Sequence, residues 1–135
     1  MIIGVGIDIV EVVRIKSACT RWGHRFENRI CTPSEIAYCG YNEIRYQRLA
    51  ARFAAKEATF KALGTGLIPG MGWHDVEVIA DPLGKPGLIL NGGTRQRADL
   101  LGVHHSLVTL AHTEAYAVAN VILIGNEGRG NEEMG

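Results

Sequence analysis

The sequence predicts an α+β domain, with its early helices packed on a mainly antiparallel sheet. Three observations carry this expectation. Helical patterning is concentrated between residues 11 and 63, strand-like alternation dominates from residue 75 to 124, and one strand-like run opens the chain. The resulting order, β-α-α-α-β-β-α-β-β, lacks the regular alternation of a doubly wound sheet. At 135 residues the chain is long enough for one core.

Residues 2–10 read as a buried strand. Ile3, Val5, Ile7 and Ile9 share one face, and Ile2, Gly4, Gly6, Asp8 and Val10 share the other. Asp8 therefore stands beside two residues without side chains, which is expected to place an acid next to a cleft. A helix follows from Glu11 to Trp22, with Val12, Ile15 and Cys19 inward and Gly23 ending it. "TPSE" at 32–35 opens the next helix: Thr32 as N-cap, Pro33 at the first helical position, Glu35 closing a capping box. Asn42 is expected to cap a long helix over 43–63, which Gly64 stops.

Beyond Gly64 the texture changes. "GTGLIPGMGW" is a glycine-rich loop, "DVEVIA" alternates as a strand, and "DPLGKPG" is a turn into a short strand, "LIL", at 88–90. Thr94 is expected to cap a helix through Leu101. "HSLVTLAH" and "YAVANVILI" then read as two strands joined through Thr113 and Glu114. Residues 1–124 are thus expected to form one domain, followed by a polar, disordered tail over 125–135.

Composition narrows the function. The chain is 47% hydrophobic and 21% charged, as in soluble globular proteins. The opening "MIIGVGIDIV" has no basic leader, and no apolar run approaches the ~20 residues of a membrane span. Cys19, Cys31 and Cys39 are odd in number and form no CxxC pair, so a disulfide framework or zinc site is not expected. A reducing cytoplasm fits. Residues 1–63 hold ten Lys/Arg against six Asp/Glu, and residues 64–135 hold four against eight. Zero net charge excludes a general nucleic-acid binder, but the basic first half suits an acidic partner.

The chemistry concentrates in "RFAAKEATFKALGTG", residues 52–66. Leu49, Phe53, Phe60 and Leu63 form one helical stripe, expected to be the core face. Glu57 and Lys61, four apart, lie on its flank beside Ala50 and Ala54, while Arg52 projects from the opposite flank. The plain alternative for Glu57 and Lys61 is a surface ion pair worth ~0.3–0.5 kcal/mol. Two features argue for more. Lys56 falls inside the apolar stripe, where it would snorkel outward if it only covered core, and the helix runs into "GTG", whose amides would suit an anion. Asp8 adds a second carboxylate, and two converging acids would give Mg²⁺ part of its oxygen shell. Spacing alone does not show that Asp8 and Glu57 converge. No G-x-x-x-x-G-K-[ST] loop is present, so ordinary P-loop chemistry has no cradle.

"GIDIVEVVRI" at 6–15 and "RFAAKEATFKALGTG" at 52–66 resemble the bacterial holo-[acyl-carrier-protein] synthases. "GKP" at 84–86 and "LAHTEAYAVANVIL" at 110–123 fit the same family. The resemblance implies transfer of 4′-phosphopantetheine from coenzyme A to a serine of apo-acyl carrier protein, releasing adenosine 3′,5′-bisphosphate in support of fatty acid biosynthesis. It implies Mg²⁺ dependence and a homotrimer with active sites between subunits. Asp8 and Glu57 match the metal carboxylates, and Lys61 matches a lysine that contacts coenzyme A phosphate and assists the leaving group. Either Glu57 or a water held by a carboxylate would act as base. Arg52, Gly84, Lys85, Pro86, His112 and Thr113 match nucleotide contacts, with Gly64 beside them. One departure is "TLAHT": Ala111 stands where the family's second hydroxyl residue is usual, while Thr109 is kept. The remaining alternatives are a non-catalytic carrier-binding paralogue and another Mg²⁺-dependent nucleotide phosphoryl transferase.

An acidic carrier needs a basic surface. Arg14, Arg21 and Arg25 recur at i, i+7 and i+11, one face if the helix persists through Gly23, with Arg45 and Arg48 as neighbours. His104 and His105 read as strand-entry residues, and Trp22 and Trp73 as packing.

Overall fold

The computed structural model describes residues 1–126. Strand β1 (Ile2–Glu11) leads into helices α1 (Val12–Trp22), α2 (His24–Ile30), α3 (Pro33–Cys39) and α4 (Arg45–Leu63). A 3₁₀ turn (Trp73–Asp75) precedes β2 (Val76–Ala80) and β3 (Pro86–Leu90), followed by α5 (Gly92–Leu101), β4 (Val103–His112) and β5 (Tyr116–Gly125). The α+β class stands. β1, β5 and β4 form an antiparallel sheet in that order, and β2 and β3 form a separate antiparallel hairpin.

Helix α4 is the centre of the molecule. Alanines 50, 51, 54, 55, 58 and 62 are all buried, and their small size lets the helix lie directly on β1 and β5. The closest approach is at Gly4 and Gly6, where a Cβ would overlap the carbonyls of Ala62 and Ala58. The glycine face of β1 is therefore filled by helix backbone where a cleft was expected. The strand is not buried on both faces, as the expected buried strand would be: Val5, Ile7 and Ile9 point outward at 56–62% exposure. A period of two shows which residues share a face, but not which face meets the helix.

Other differences have local causes. Gly23, at φ 60° and ψ −143°, separates α1 from an unexpected seven-residue helix, α2. α4 begins at Arg45, and Asn42 contributes only its backbone carbonyl to the Arg45 N–H. α5 begins at Gly92; buried Thr94 instead donates its hydroxyl to Asp75. The capping box at Thr32 and Glu35 forms as expected. Trp73 packs on Phe53 and Phe60, whereas Trp22 is 51% exposed with Arg21 over its ring. Cys19, Cys31 and Cys39 are free, buried thiols, and burial pushes Cys31 up to about 12. Gly125, the first residue of the expected tail over 125–135, is instead the last residue of β5, and residues 127–135 lie outside the described residues.

Candidate active site

Between Leu49 and Leu63 only Phe53, Glu57 and Lys61 escape full burial, a single strip at spacing four. Glu57 and Lys61 thus occupy the one wet edge of the central helix. β1 is an edge strand, and its Asp8 side chain reaches that edge. Lys61 Nζ donates to Asp8 Oδ1 at 2.9 Å and to the Ile7 carbonyl at 3.1 Å. Burial raises the Glu57 carboxyl above its ordinary range, the negative charge of Asp8 raises it further, and Lys61 opposes both. Asp8 thus lies near enough to Glu57 for its negative charge to repel the Glu57 carboxylate. A divalent cation would relieve that repulsion, so the donor set fits Mg²⁺. Among the described residues no cluster of three or more metal-ligating side chains exists, leaving most of an octahedral shell to water and substrate oxygens.

A second site lies on the other flank of α4. A cavity of about 270 Å³ is lined by Tyr38, Arg48, Arg52, Gly84, Pro86 and His112, among others. Arg52 is 4% exposed, stacks over the Tyr38 ring at 4.1 Å, and leaves its buried Nε without a hydrogen-bond partner. Its one side-chain hydrogen bond here, to the Arg48 carbonyl, is long at 3.5 Å. A buried guanidinium lacking a carboxylate is a standing site for an anion. Asp81 shapes the opposite wall: its side chain accepts from Leu83 and Lys85 N–H, and Gly84 takes φ 89°.

The structure thus brings Asp8, Glu57 and Lys61 together, and separately Arg52, Gly84, Pro86 and His112. It does not bring the two groups together within one chain. Lys85 projects from the hairpin tip outside the cavity lining, and Thr113 is committed to the β4–β5 turn, its hydroxyl accepting from Ala115 and Tyr116 N–H. Two of the GTG amides are spent within the helix end: Gly64 and Gly66 N–H donate to the Lys61 and Phe60 carbonyls. That end also carries the negative pole of the α4 dipole. Thr109 and Ala111 lie on the face of β4 opposite to Leu110 and His112, so Ala111 removes no hydrogen bond from this cavity.

Tyr38 and Arg48 are among the cavity residues that were missed as such. Tyr38 carried no sequence signal beyond exposure on a short helix. Arg48 was grouped with docking charges, although its spacing of four from Arg52 places both on one helix face. The docking set also shrinks at Arg45, which is mostly buried and paired with Glu27 and the Gly40 carbonyl. Arg14, Arg21 and Arg25 are exposed, but Arg25 sits on α2 beyond the Gly23 break. Lys56 does not snorkel; it is fully buried against Glu35. His104 and His105 are exposed at the β4 entry, beside a register shift between Val103 and His105.

An acid pair with its lysine lies on one flank of a central helix, and on the other lies an arginine with no acidic partner among the described residues. The chain belongs to the 4′-phosphopantetheinyl transferase superfamily, whose family model matches residues 4–121. It is 51% identical over 123 residues to a holo-[acyl-carrier-protein] synthase of Koribacter versatilis, covering 91% of this chain and 98% of that one. The crystal structure of the Neisseria meningitidis holo-[acyl-carrier-protein] synthase is similar at a TM-score of 0.83 and 31% identity, covering 92% and 99% of the two chains. A Bacillus anthracis holo-(acyl-carrier-protein) synthase, solved in complex with CoA (3′,5′-ADP), is similar at a TM-score of 0.77 and 34% identity, covering 93% and 99%.

Proposed function

We propose that this chain transfers 4′-phosphopantetheine from coenzyme A to a serine hydroxyl of an apo-acyl carrier protein, releasing adenosine 3′,5′-bisphosphate. The observation that carries the reading is buried Arg52, without an acidic partner among the described residues, facing a cavity that a nucleotide phosphate would fill. The relatives' activity and the coenzyme bound in the Bacillus anthracis structure support it.

Asp8 and Glu57 would hold Mg²⁺, which when bound polarises the pyrophosphate being cleaved. Lys61, half-exposed and bonded to Asp8, would meet the charge that develops on the leaving phosphate. The serine proton passes to Glu57 or to a water held by one of the carboxylates. Arg52, with Arg48 and His112, holds the nucleotide so that the scissile bond is positioned rather than merely bound. Supply of carrier protein for fatty acid biosynthesis in the cytoplasm is the setting this activity serves.

The reading includes a homotrimer with sites between subunits. Two features support assembly. The acid group and the basic cavity lie on opposite flanks of α4, so one chain alone does not complete a site. The open sheet face exposes Val5, Ile7, Ile9 and Leu107 at 46–62%, a contiguous apolar surface suited to burial against a second copy. Three-fold closure comes from the family resemblance.

The test is direct. The protein is incubated with coenzyme A, Mg²⁺ and an apo-carrier, and the intact carrier is weighed. A gain of one phosphopantetheine group is expected; an unchanged carrier mass would refute the reading.

A further inference from the structure

Lys56, in the middle of α4, and Glu35, in the first turn of α3, are both fully buried. The ammonium donates to Glu35 Oε1 at 2.9 Å, to the Trp73 carbonyl at 3.0 Å and to the Val76 carbonyl. Glu35 also accepts from Thr32 N–H at Oε1 and from Val78 N–H at Oε2, both at 2.9 Å. Every proton of the ammonium and both carboxylate oxygens are used. A buried ion pair is by itself weak evidence for stability, since apolar residues of like volume often serve as well. These two do something apolar residues could not.

β2 pairs with β3 along one edge only. The Val76 carbonyl and Val78 N–H are buried and need partners, which Lys56 and Glu35 supply as a third strand would. Between them Glu77 accepts from the Thr32 and Ser34 hydroxyls at 2.6 and 2.7 Å, pinning the same strand to the start of α3. Each tethered element then runs straight into the cavity wall. Tyr38 lies one turn beyond Glu35 on α3, Arg52 one turn before Lys56 on α4, and Ile79 and Ala80 directly after Val78.

We propose that Lys56 and Glu35 are positioning residues for the nucleotide cavity, fixing the distance between its helical and hairpin walls. This rests on the reading of that cavity as the nucleotide site. The pair touches no substrate; it acts through Arg52, Tyr38 and the hairpin that carries Gly84 and Pro86.

The test is the double variant Lys56→Met with Glu35→Gln, which removes both charges and keeps an acceptor for the Val78 N–H. Calorimetric binding of adenosine 3′,5′-bisphosphate is measured well below the variant's melting midpoint. The expected result is about a tenfold weaker Kd and a matching rise in KM for coenzyme A, with kcat at saturation within about threefold. Leu123→Ala is the control: it opens a cavity beneath the far end of the sheet, lowers stability, and leaves Kd unchanged. A double variant that binds as wild type does, or loses affinity only as much as Leu123→Ala, would overturn the proposal. If the double variant does not fold, Thr32→Val with Ser34→Ala loosens the same strand, and unchanged Kd there overturns it equally. Wild-type protein that fails to bind the nucleotide would instead refute the nucleotide reading. Hydrogen exchange then judges the clamp: faster exchange at Val78 and residues 83–85 in the double variant supports it, and equal exchange refutes it.

Discussion

Lys61 Nζ lies 2.9 Å from Asp8 Oδ1, joining two residues 53 positions apart across the edge of β1 and the wet strip of α4. The same ammonium also caps the Ile7 carbonyl. This contact makes Lys61 a counterion held ready beside the acid pair rather than a partner of Glu57 along the helix. Lys61→Ala should lower kcat by about 10²–10³, since the lost charge is needed chiefly in the transition state. Steady-state kinetics decide it: a raised KM for coenzyme A with kcat held would make Lys61 a ground-state anchor.

Asp8→Ala and Glu57→Ala should each abolish transfer and leave the fold intact, because neither side chain carries core packing. Activity titrated against Mg²⁺ is the check. Near-wild-type turnover by either variant at saturating Mg²⁺ would contradict the two-carboxylate site.

The Glu57 carboxyl, raised by burial and by Asp8, makes a signed prediction for the metal-free protein. A folded-state value above the unfolded one means that folding favours the protonated form. Stability is then full below the ordinary carboxylate range and is lost as pH rises through the raised value. Glu57→Gln removes that loss. Its melting midpoint should exceed that of wild type at pH 7 in chelator, and the difference should vanish near pH 4. Equal midpoints at both pH values would contradict it.

Much of the site was legible in the sequence because its chemistry is carried by short motifs. Asp8 on a glycine-bearing strand and Glu57 with Lys61 at helical spacing each stood out, and the family resemblance joined them as one acidic group. The cavity residues Arg52, Gly84, Pro86 and His112 were singled out by family resemblance, and the fold assembles them from α4, the β2–β3 hairpin and β4. What stayed hidden depended on tertiary contact. Alternation along β1 showed two faces, but the alanines of α4 chose the glycine face as the inner one. Lys56 stood out in an apolar stripe, yet its partner Glu35 is 21 positions away and was already explained as a capping residue. Arg45 looked like a free surface charge until α2, itself unforeseen, placed Glu27 against it.

Arg14 and Arg21 remain exposed on α1 and are the strongest part of the expected carrier-docking face. Arg14→Glu combined with Arg21→Glu should raise KM for an acidic carrier, hold kcat within a few-fold, and leave coenzyme A binding untouched. Wild-type KM for the carrier should also climb with ionic strength. A double variant matching wild type at low salt would move the docking surface elsewhere.

The proposed active site is divided between chains, with Asp8, Glu57 and Lys61 from one and the Arg52 cavity from another. The most direct measurement mixes two inactive variants, Arg52→Ala and Glu57→Ala, under conditions where labelled subunits are seen to exchange. Random reassembly in equal amounts should leave about one site in four with both halves intact, so transfer should return to about a quarter of the wild-type rate. A mixture no more active than its two components, after exchange is complete, would place the whole site within a single chain.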